Sequence, residues 1–249
     1  MTALKILGID TTAKTATAAV ISDGKLIALT VLNTPNTHSV TLLPMIDGLL
    51  KSSSLTLDDV DLFACSVGPG SFTGVRIGTS AIKGLAYANG KPCVGVSSLE
   101  ALALNVTADD GIICSVMDAR RSQFYNALFK REGGALIRLT PDSLDSVSDV
   151  LATIKQNGDT VYVTGDGEAK LKNAASELDV KEVHEVLRFQ NAYNVALLAG
   201  MIYESADAEQ RAEFTAEKLA PVYLRASQAE RERLEKIEKE NITTEKDGN

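Results

Sequence analysis

One carboxylate near the start of the chain stands where chemistry could occur. Asp10 follows the apolar run from 4 to 9 and precedes Thr11 and Thr12. A strand-end carboxylate beside small hydroxyl residues could hold Mg²⁺ and a nucleotide phosphate, because Mg²⁺ prefers oxygen ligands. The same residues also fit an Asx-type turn, in which the carboxylate accepts hydrogen bonds from nearby backbone N–H groups. The sequence leaves both interpretations open.

Two further aspartates follow predicted strands in the second half of the chain. Asp118 ends the apolar run from 112 to 117, and Asp166 lies between glycines in Gly165-Asp166-Gly167. If the two halves fold alike, Asp10 and Asp118 occupy equivalent strand ends that face a common cleft. We therefore expect a vestigial nucleotide cleft that is formed by the following residues: Asp10, Thr11, Thr12, Asp118, Gly165 and Asp166.

The segment from 62 to 90 is the best-defined structural unit in the sequence. An apolar strand is followed by the turn Gly68-Pro69-Gly70, and Ser71 is placed to cap a helix that runs to about Ala88. Gly74 and Gly78 lie on one side of this helix, where each costs about 1 kcal/mol relative to alanine. Close packing within the chain, a second helix in contact, or a phosphate at the helix N-terminus could each explain them.

A second helix is predicted from 37 to 51, with apolar residues on two sides. One stripe contains Leu43, Ile46 and Leu50, and the other contains Leu42, Met45 and Leu49. A helix at a free surface needs only one apolar stripe. Two stripes indicate burial from both sides, within the domain or at an interface.

Composition limits the other classes of function. The net charge of −8 is unfavourable for binding nucleic acid. We expect the basic pairs Arg120-Arg121 and Lys130-Arg131 to lie on the solvated surface. Only two histidines and three cysteines are present, without metal-ligand spacing, so we expect no metal site, no cofactor and buried free thiols. No apolar run reaches the roughly 18 residues of a membrane span, which favours a cytoplasmic protein.

The order of predicted elements repeats. Three antiparallel strands open each half and are followed by helices and further strands, with Asp23-Gly24 and Gly133-Gly134 as hairpin turns. The fold class is therefore α/β, with two ribonuclease-H-like lobes and mixed five-stranded sheets flanked by helices. We expect a first lobe from 1 to 104, a second from 105 to 225, and a charged, mobile tail from 226 to 249.

Several segments resemble the TsaB family. These are ILGIDTTAKTATAAV, SVGPGSFTGVRIG, MDARRSQFYNALF and PVYLR, which lie within about the first 225 residues. The resemblance implies a two-lobed fold similar to actin, Hsp70 and the sugar kinases. It also implies a cytoplasmic, non-catalytic subunit that binds the paralogous transferase TsaD and the ATPase TsaE. That assembly transfers a threonylcarbamoyl group to the adenosine 3′ of the anticodon in tRNAs reading codons that begin with A.

The resemblance also implies that this chain lacks the metal site of the transferase. The segment of TsaD that resembles V-H-H-M-E-G-H aligns with 96–102 here, where Ser98 and Leu102 stand at the ligand positions. Leucine cannot bind a metal. No Ser-His-Asp or Cys-His pairing that would support peptidase chemistry is evident either.

In the family, two helices form the surface that meets TsaD or a second copy of the chain. The resemblance therefore implies a heterodimer with TsaD, a homodimer in isolation, and contact with tRNA that is indirect or weak. The expected partner surface consists of Val40, Leu42, Met45, Leu49, Phe72, Gly74, Val75, Gly78 and Ile82. The alternative function is an actin-like ATPase or kinase that uses the cleft around Asp10, Asp118 and Asp166.

Overall fold

The computed structural model of the protein describes residues 3–225 except 109, 159, 176 and 182. The first sheet has the strand order β3-β2-β1-β4-β5. Strand β2 is antiparallel to β1 and β3, whereas β4 and β5 run parallel to β1. Its strands are β1 (Lys5–Asp10), β2 (Ala16–Ser22), β3 (Lys25–Leu32), β4 (Leu62–Gly68) and β5 (Cys93–Ser97).

The second sheet repeats this order. Its main path is β11-β10-β6-β7-β8, and β9 pairs with β7 beyond the end of β8. Three antiparallel strands are again followed by two strands parallel to the first, which confirms the expected ribonuclease-H-like fold class of both lobes. This sheet has six strands and not the five expected, because β9 pairs with the part of β7 that β8 leaves unpaired. The strands are β6 (Gly111–Asp118), β7 (Gln123–Glu132), β8 (Ala135–Arg138), β9 (Ser143–Ser146), β10 (Thr160–Thr164) and β11 (Asp179–Lys181).

Seven α-helices connect and cover these sheets in the described ranges. Helix α2 begins where the sequence predicts, since the hydroxyl of Ser71 accepts a hydrogen bond from the N–H of Gly74 at 3.3 Å. Helix α4 begins at Val147, directly after the short strand β9, and the hydroxyl of Ser146 caps its first turn. The helices are α1 (His38–Ser52), α2 (Phe72–Asn89), α3 (Ser98–Ala103), α4 (Val147–Asn157), α5 (Glu168–Ala174), α6 (Ala192–Ser205) and α7 (Ala208–Ala212).

Each sheet is buried on both faces. Helices α1 and α2 pack on one face of the first sheet through Leu42, Leu49 and Ile82, and α6 covers the other face through Val195 and Ala199. On the second sheet, α3 covers one face and α4 with α5 covers the other. Burial on two faces explains why the central strands are nearly continuous apolar runs.

The chain returns to the first lobe after the second sheet. Helix α6 packs on β1, β2 and β4, and the segment 213–225, called here the C-terminal strap, runs past β4 and β5. The N–H of Cys93 donates to the carbonyl of Phe214, and the N–H of Val222 donates to the carbonyl of Val67. Residue 104 lies between the last strand of the first sheet and the first strand of the second, while α6 and the strap pack on the first sheet. The tail expected from 226 lies outside the described residues.

The three cysteines are free and buried, as the sequence predicts. Cys65 and Cys114 lie within the central strands β4 and β6, and burial raises their thiol pKa values. Within the described ranges, no helix has the length and apolar character needed to cross a membrane.

Candidate functional site

Asp10 ends β1 as a fully satisfied, buried carboxylate, with only 1% of its surface exposed. Its Oδ1 accepts hydrogen bonds from the N–H and the hydroxyl of Thr12, both at 2.7 Å, and its Oδ2 accepts one from the hydroxyl of Ser66 at 2.5 Å. Burial raises the pKa of Asp10, while the hydrogen bonds from Ser66 and Thr12 act in the opposite direction. The Asx-type turn is the interpretation that fits these contacts.

Helix α2 closes over the turn that follows Asp10. The hydroxyl of Thr11 donates to the carbonyl of Gly74 at 2.7 Å, and the N–H of Ser71 donates to the carbonyl of Thr12 at 2.7 Å. A Cβ atom on Gly74 would lie 2.0 Å from the carbonyl oxygen of Thr11, and one on Gly78 would lie 2.5 Å from the Thr11 hydroxyl. The two glycines therefore permit close approach within this chain.

Asp118 and Asp166 are brought together at the end of the second sheet. The N–H of Asp118 donates to Oδ1 of Asp166 at 2.9 Å, and Lys170 pairs with the carboxylate of Asp118 at 3.0 Å. Asp166 is exposed at the surface, but its carboxyl group is partly desolvated, and this raises its pKa. The negative charge of Asp118 also raises the pKa of Asp166, whereas the positive charge of Lys14 lowers it. Gly165 packs beneath them, where a Cβ atom would meet the carbonyl of Val116 at 2.0 Å.

The six residues of the predicted cleft differ in burial. Asp10, Thr11 and Thr12 are buried and bond within the first lobe, whereas Asp118 and Asp166 lie at the surface of the second. An open cavity of about 500 Å³ lies instead between the starts of α1 and α2, where His38, Thr73 and Ile77 contribute to its lining. None of the six predicted cleft residues lines it.

The outer face of α1 and α2 exposes apolar and small residues beside charged ones such as Asp47 and Arg76. Val40 is 66% exposed and Leu43 is 54% exposed on α1, and Tyr87 is 75% exposed on α2. Gly48 on α1 and Gly84 on α2 have open space where a Cβ atom would stand. We call this surface the α1–α2 face; its exposed members are Val40, Leu43, Gly48, Ser80, Gly84, Tyr87 and Ala88.

Most residues that the resemblance assigned to the partner surface point into the lobe. Only Val40 is exposed and Phe72 is half-buried, and the other seven are buried. The sequence could not separate the two stripes of α1, because the buried set on this helix takes in Ile46 and Leu50 as well. Those seven are Leu42, Met45, Leu49, Gly74, Val75, Gly78 and Ile82.

The C-terminal strap contacts the start of α2, a contact that no local sequence pattern predicts. The ring of Tyr223 stacks on Phe72 with the centroids 4.7 Å apart. The guanidinium of Arg76 lies 4.1 Å from the centroid of Phe72, and its Nε donates to the hydroxyl of Tyr223 at 2.9 Å. PVYLR therefore holds α2 and the glycine turn in place.

Residues at the start of α3 form an ion-pair network between the lobes. The Ser97 hydroxyl donates to Asp142 at 2.7 Å, and Arg138 bonds both Asp142 and Glu100 at 2.6 Å. Ser98, which aligns with a ligand position of the transferase, is fully buried. In the described part of the chain, no group of three or more His, Cys, Asp or Glu side chains is placed to hold a metal ion.

These features define a two-lobed α/β protein with a ribonuclease-H-like strand order in both sheets, in which the first strand-end carboxylate is buried and bonded within its own lobe. The family model described as TsaD, tRNA N6-adenosine threonylcarbamoyltransferase, matches residues 33–233. A Pseudomonas aeruginosa structure, described as an uncharacterized protein similar to peptidase YeaZ, has a TM-score of 0.74 and 25% identity. The match covers 89% of this chain and 100% of that one.

Curated relatives specify the family further. The tRNA threonylcarbamoyladenosine biosynthesis protein TsaB of Bacillus subtilis is 35% identical over 162 residues, which are 65% of this chain and 71% of that protein. TsaB of Escherichia coli is 36% identical over 131 residues, which are 52% of this chain and 56% of that protein. The chain belongs to the TsaB family, within the wider group that the TsaD model describes.

Proposed function

We propose that this chain is a non-catalytic scaffold subunit in tRNA threonylcarbamoyladenosine biosynthesis. It binds the transferase TsaD and activates it together with the ATPase TsaE, so that the threonylcarbamoyl group reaches the adenosine 3′ of the anticodon. Membership of the TsaB family supports the role in this modification. The α1–α2 face is the observation that carries the scaffold assignment.

The α1–α2 face has the features of a helix-packing surface. Ser80, Gly84 and Ala88 are spaced by four residues on α2 and are all exposed, so they form a stripe of small side chains. Such a stripe lets a second helix approach the backbone, while Val40 and Leu43 on the neighbouring α1 supply apolar area. The exposed glycine at 84 costs helix stability in the isolated chain, and packing against a partner would offset that cost.

A related fold is the natural partner for this surface. The TsaD family model matches residues 33–233, which include α1 and α2, so we expect TsaD to carry helices in the corresponding positions. Two helices from each protein can then pack as a four-helix bundle in a nearly symmetric pair. The same geometry allows a homodimer of this chain when TsaD is absent.

The alternative function, an ATPase or kinase centred on Asp10, receives no support from the contacts of this carboxylate. Its hydrogen bonds come from Thr12 and Ser66, and α2 covers the turn beside it. A phosphate or Mg²⁺ at Asp10 would have to displace these bonds and move the helix.

The test is a Gly84→Leu substitution. A leucine here gains helix propensity of roughly 0.5 to 1 kcal/mol, so the isolated chain becomes more stable. It also fills the stripe, so binding to purified TsaD in calorimetry weakens by at least tenfold. Gly84→Ala is the matched control, because it gains the same propensity with a small side chain.

Ala152→Leu, on the exposed side of α4, controls for an added apolar side chain away from the α1–α2 face. Stabilisation together with unchanged TsaD affinity for Gly84→Leu would remove the α1–α2 face from the proposal. Gly78→Leu is unsuitable for this test, because its side chain would collide with Thr11 and disrupt the lobe itself.

A further inference from the structure

The turn between β6 and β7 has an unusual backbone. Arg120, Arg121 and Ser122 have φ angles of 64°, 53° and 58°, so three successive non-glycine residues adopt the left-handed region. Residues with a Cβ atom visit this region singly and at a cost. A run of three persists only when the surroundings hold it, and such strain is concentrated at functional sites.

Backbone contacts hold this turn, which we call the arginine turn (residues 119–123). The N–H of Ala119 donates to the carbonyl of Gln123 and the N–H of Gln123 donates to the carbonyl of Arg120, both at 3.1 Å. The N–H of Arg120 donates to Oδ1 of Asp118 at 2.9 Å, and Arg225 of the C-terminal strap donates to the carbonyl of Ala119 at 3.0 Å. None of these contacts uses the side chains of Arg120 or Arg121.

The two guanidinium groups of the arginine turn differ from the other arginines that the structure describes. Six of the eight described arginines donate hydrogen bonds from the side chain, whereas Arg120 and Arg121 are exposed and have no partner among the described residues. The six bonded arginines are Arg76, Arg131, Arg138, Arg188, Arg211 and Arg225.

The neighbouring acidic groups do not neutralise this pair. The carboxylate of Asp118 is paired with Lys170 at 3.0 Å and also accepts a hydrogen bond from the N–H of Arg120. The positive charge of Lys14 acts to lower the pKa of Asp166. The cations near the arginine turn therefore exceed the carboxylates on a chain whose net charge is −8. The positive electrostatic field is therefore confined to the arginine turn. Guanidinium groups present paired N–H donors that match phosphate oxygens, and two of them are adjacent in the sequence here.

We propose that Arg120 and Arg121 bind phosphates of the tRNA while the chain is assembled with its partner, an inference that rests on the proposed function. RNA is favoured because the substrate of the modification is a polyanion, and two guanidinium groups on a backbone that is held in one conformation can fix its position without reading bases. The acidic remainder of the chain limits the contact to this turn. The contact is direct, in contrast to the indirect or weak contact that the family resemblance implies.

The experiment measures fluorescence anisotropy of a labelled, unmodified tRNA transcript with the complex of TsaD and this chain, over a series of salt concentrations. The Arg120→Gln/Arg121→Gln variant is expected to weaken binding about tenfold at low salt and to lower the slope of log K against log salt by about two. Arg120→Lys/Arg121→Lys keeps the charge and therefore the slope. Lys25→Gln/Lys130→Gln removes the exposed charge of Lys25 and the half-buried, ion-paired charge of Lys130, and should change neither quantity.

TsaD affinity and thermal unfolding are measured for each variant before tRNA is added. If the glutamine variant is folded and binds TsaD while its tRNA affinity and slope equal those of the native chain, the inference is overturned. Loss of TsaD affinity in that variant also overturns it, since the turn would then contact an acidic protein surface. Failure of the native chain to bind TsaD would instead contradict the proposed function.

Discussion

The two lobes place a carboxylate at the same point of their topology and surround it differently. Asp10 and Asp118 each end the first strand of a sheet and precede a turn into the second strand. The first turn lies beneath α2, and its carboxylate is buried among hydroxyl groups from its own lobe. The second turn is exposed, and its carboxylate pairs with Lys170.

The covering helix accounts for this difference. In the first lobe, the 18-residue α2 follows β4 and presents Gly74 and Gly78 to Thr11. In the second lobe, the seven-residue α5 follows β10, and Asp118 stays at the surface. A repeated topology therefore gives one turn that stabilises the lobe and one that is available for contact.

The largest expected effect is on the turn after Asp10, which lies beneath α2 and is called here the closed turn. Gly74→Val should leave the protein largely unfolded, a loss of about 4 kcal/mol or more, because the new Cβ would lie 2.0 Å from the Thr11 carbonyl. Urea unfolding followed by circular dichroism measures this loss. Gly84→Ala, at an open position of the same helix, serves as the control and should raise the midpoint. An unchanged midpoint for Gly74→Val would mean that α2 does not pack as described.

Removal of each carboxylate compares the turns directly. Asp10→Ala should cost about 3 kcal/mol, because it leaves the hydroxyls of Ser66 and Thr12 and the N–H of Thr12 buried without an acceptor. Asp118→Ala should cost less than about 1 kcal/mol, because its ion pair is exposed. The free energies of unfolding of both variants in urea provide the comparison. Equal costs would contradict the contrast between the turns.

The stability of the closed turn should depend on pH. Burial raises the pKa of Asp10 in the folded protein above its ordinary value, so the folded state binds more protons than the unfolded state across the intervening pH range. Stability from this group is therefore complete below about pH 4 and is lost as pH rises through the raised pKa.

Asp10→Asn cannot titrate at this position. Relative to that variant, the native chain should lose free energy of unfolding as pH rises from about 4, as measured by urea unfolding at stepped pH. A difference between the two proteins that is constant or grows in favour of the native chain would show that burial does not control this carboxyl group.

The smallest expected effect concerns the contact between the C-terminal strap and the arginine turn. Arg225→Met removes one hydrogen bond to the carbonyl of Ala119 at a partly exposed site and should cost about 1 kcal/mol or less. Thermal unfolding checks the loss, and hydrogen exchange at the arginine turn should increase while exchange near Thr12 is unchanged. Increased exchange at both turns would mean that the strap supports them as one unit.

Local sequence patterns predicted the sheets well. The apolar runs from 4 to 9 and from 112 to 117 lie within one residue of the observed bounds of β1 and β6, and Asp23-Gly24 and Gly133-Gly134 form the predicted hairpin turns. Ser71 marked the start of α2 for the same reason, since its hydroxyl caps the first turn. These features depend on neighbours in the chain, which a single sequence contains.

Contacts between distant residues could not be predicted in this way. The strap packs on α2 through Tyr223 and Phe72, and α6 lies on the first sheet, but neither arrangement leaves a periodic signal. The apolar residues on two sides of α1 indicated burial without showing that only Val40 and Leu43 stay outside. The left-handed backbone at Arg120 is equally hidden, because arginine has no preference for it.

The central claim is that this chain acts through the α1–α2 face and not through chemistry at its strand-end carboxylates. The direct test is threonylcarbamoyl transfer to an unmodified tRNA by the synthase, TsaD and TsaE, with added native chain, Asp118→Asn or Gly84→Leu. We expect the native chain and Asp118→Asn to restore product equally and Gly84→Leu to restore little. Full product with Gly84→Leu and none with Asp118→Asn would contradict the claim and indicate a catalytic cleft in the second lobe.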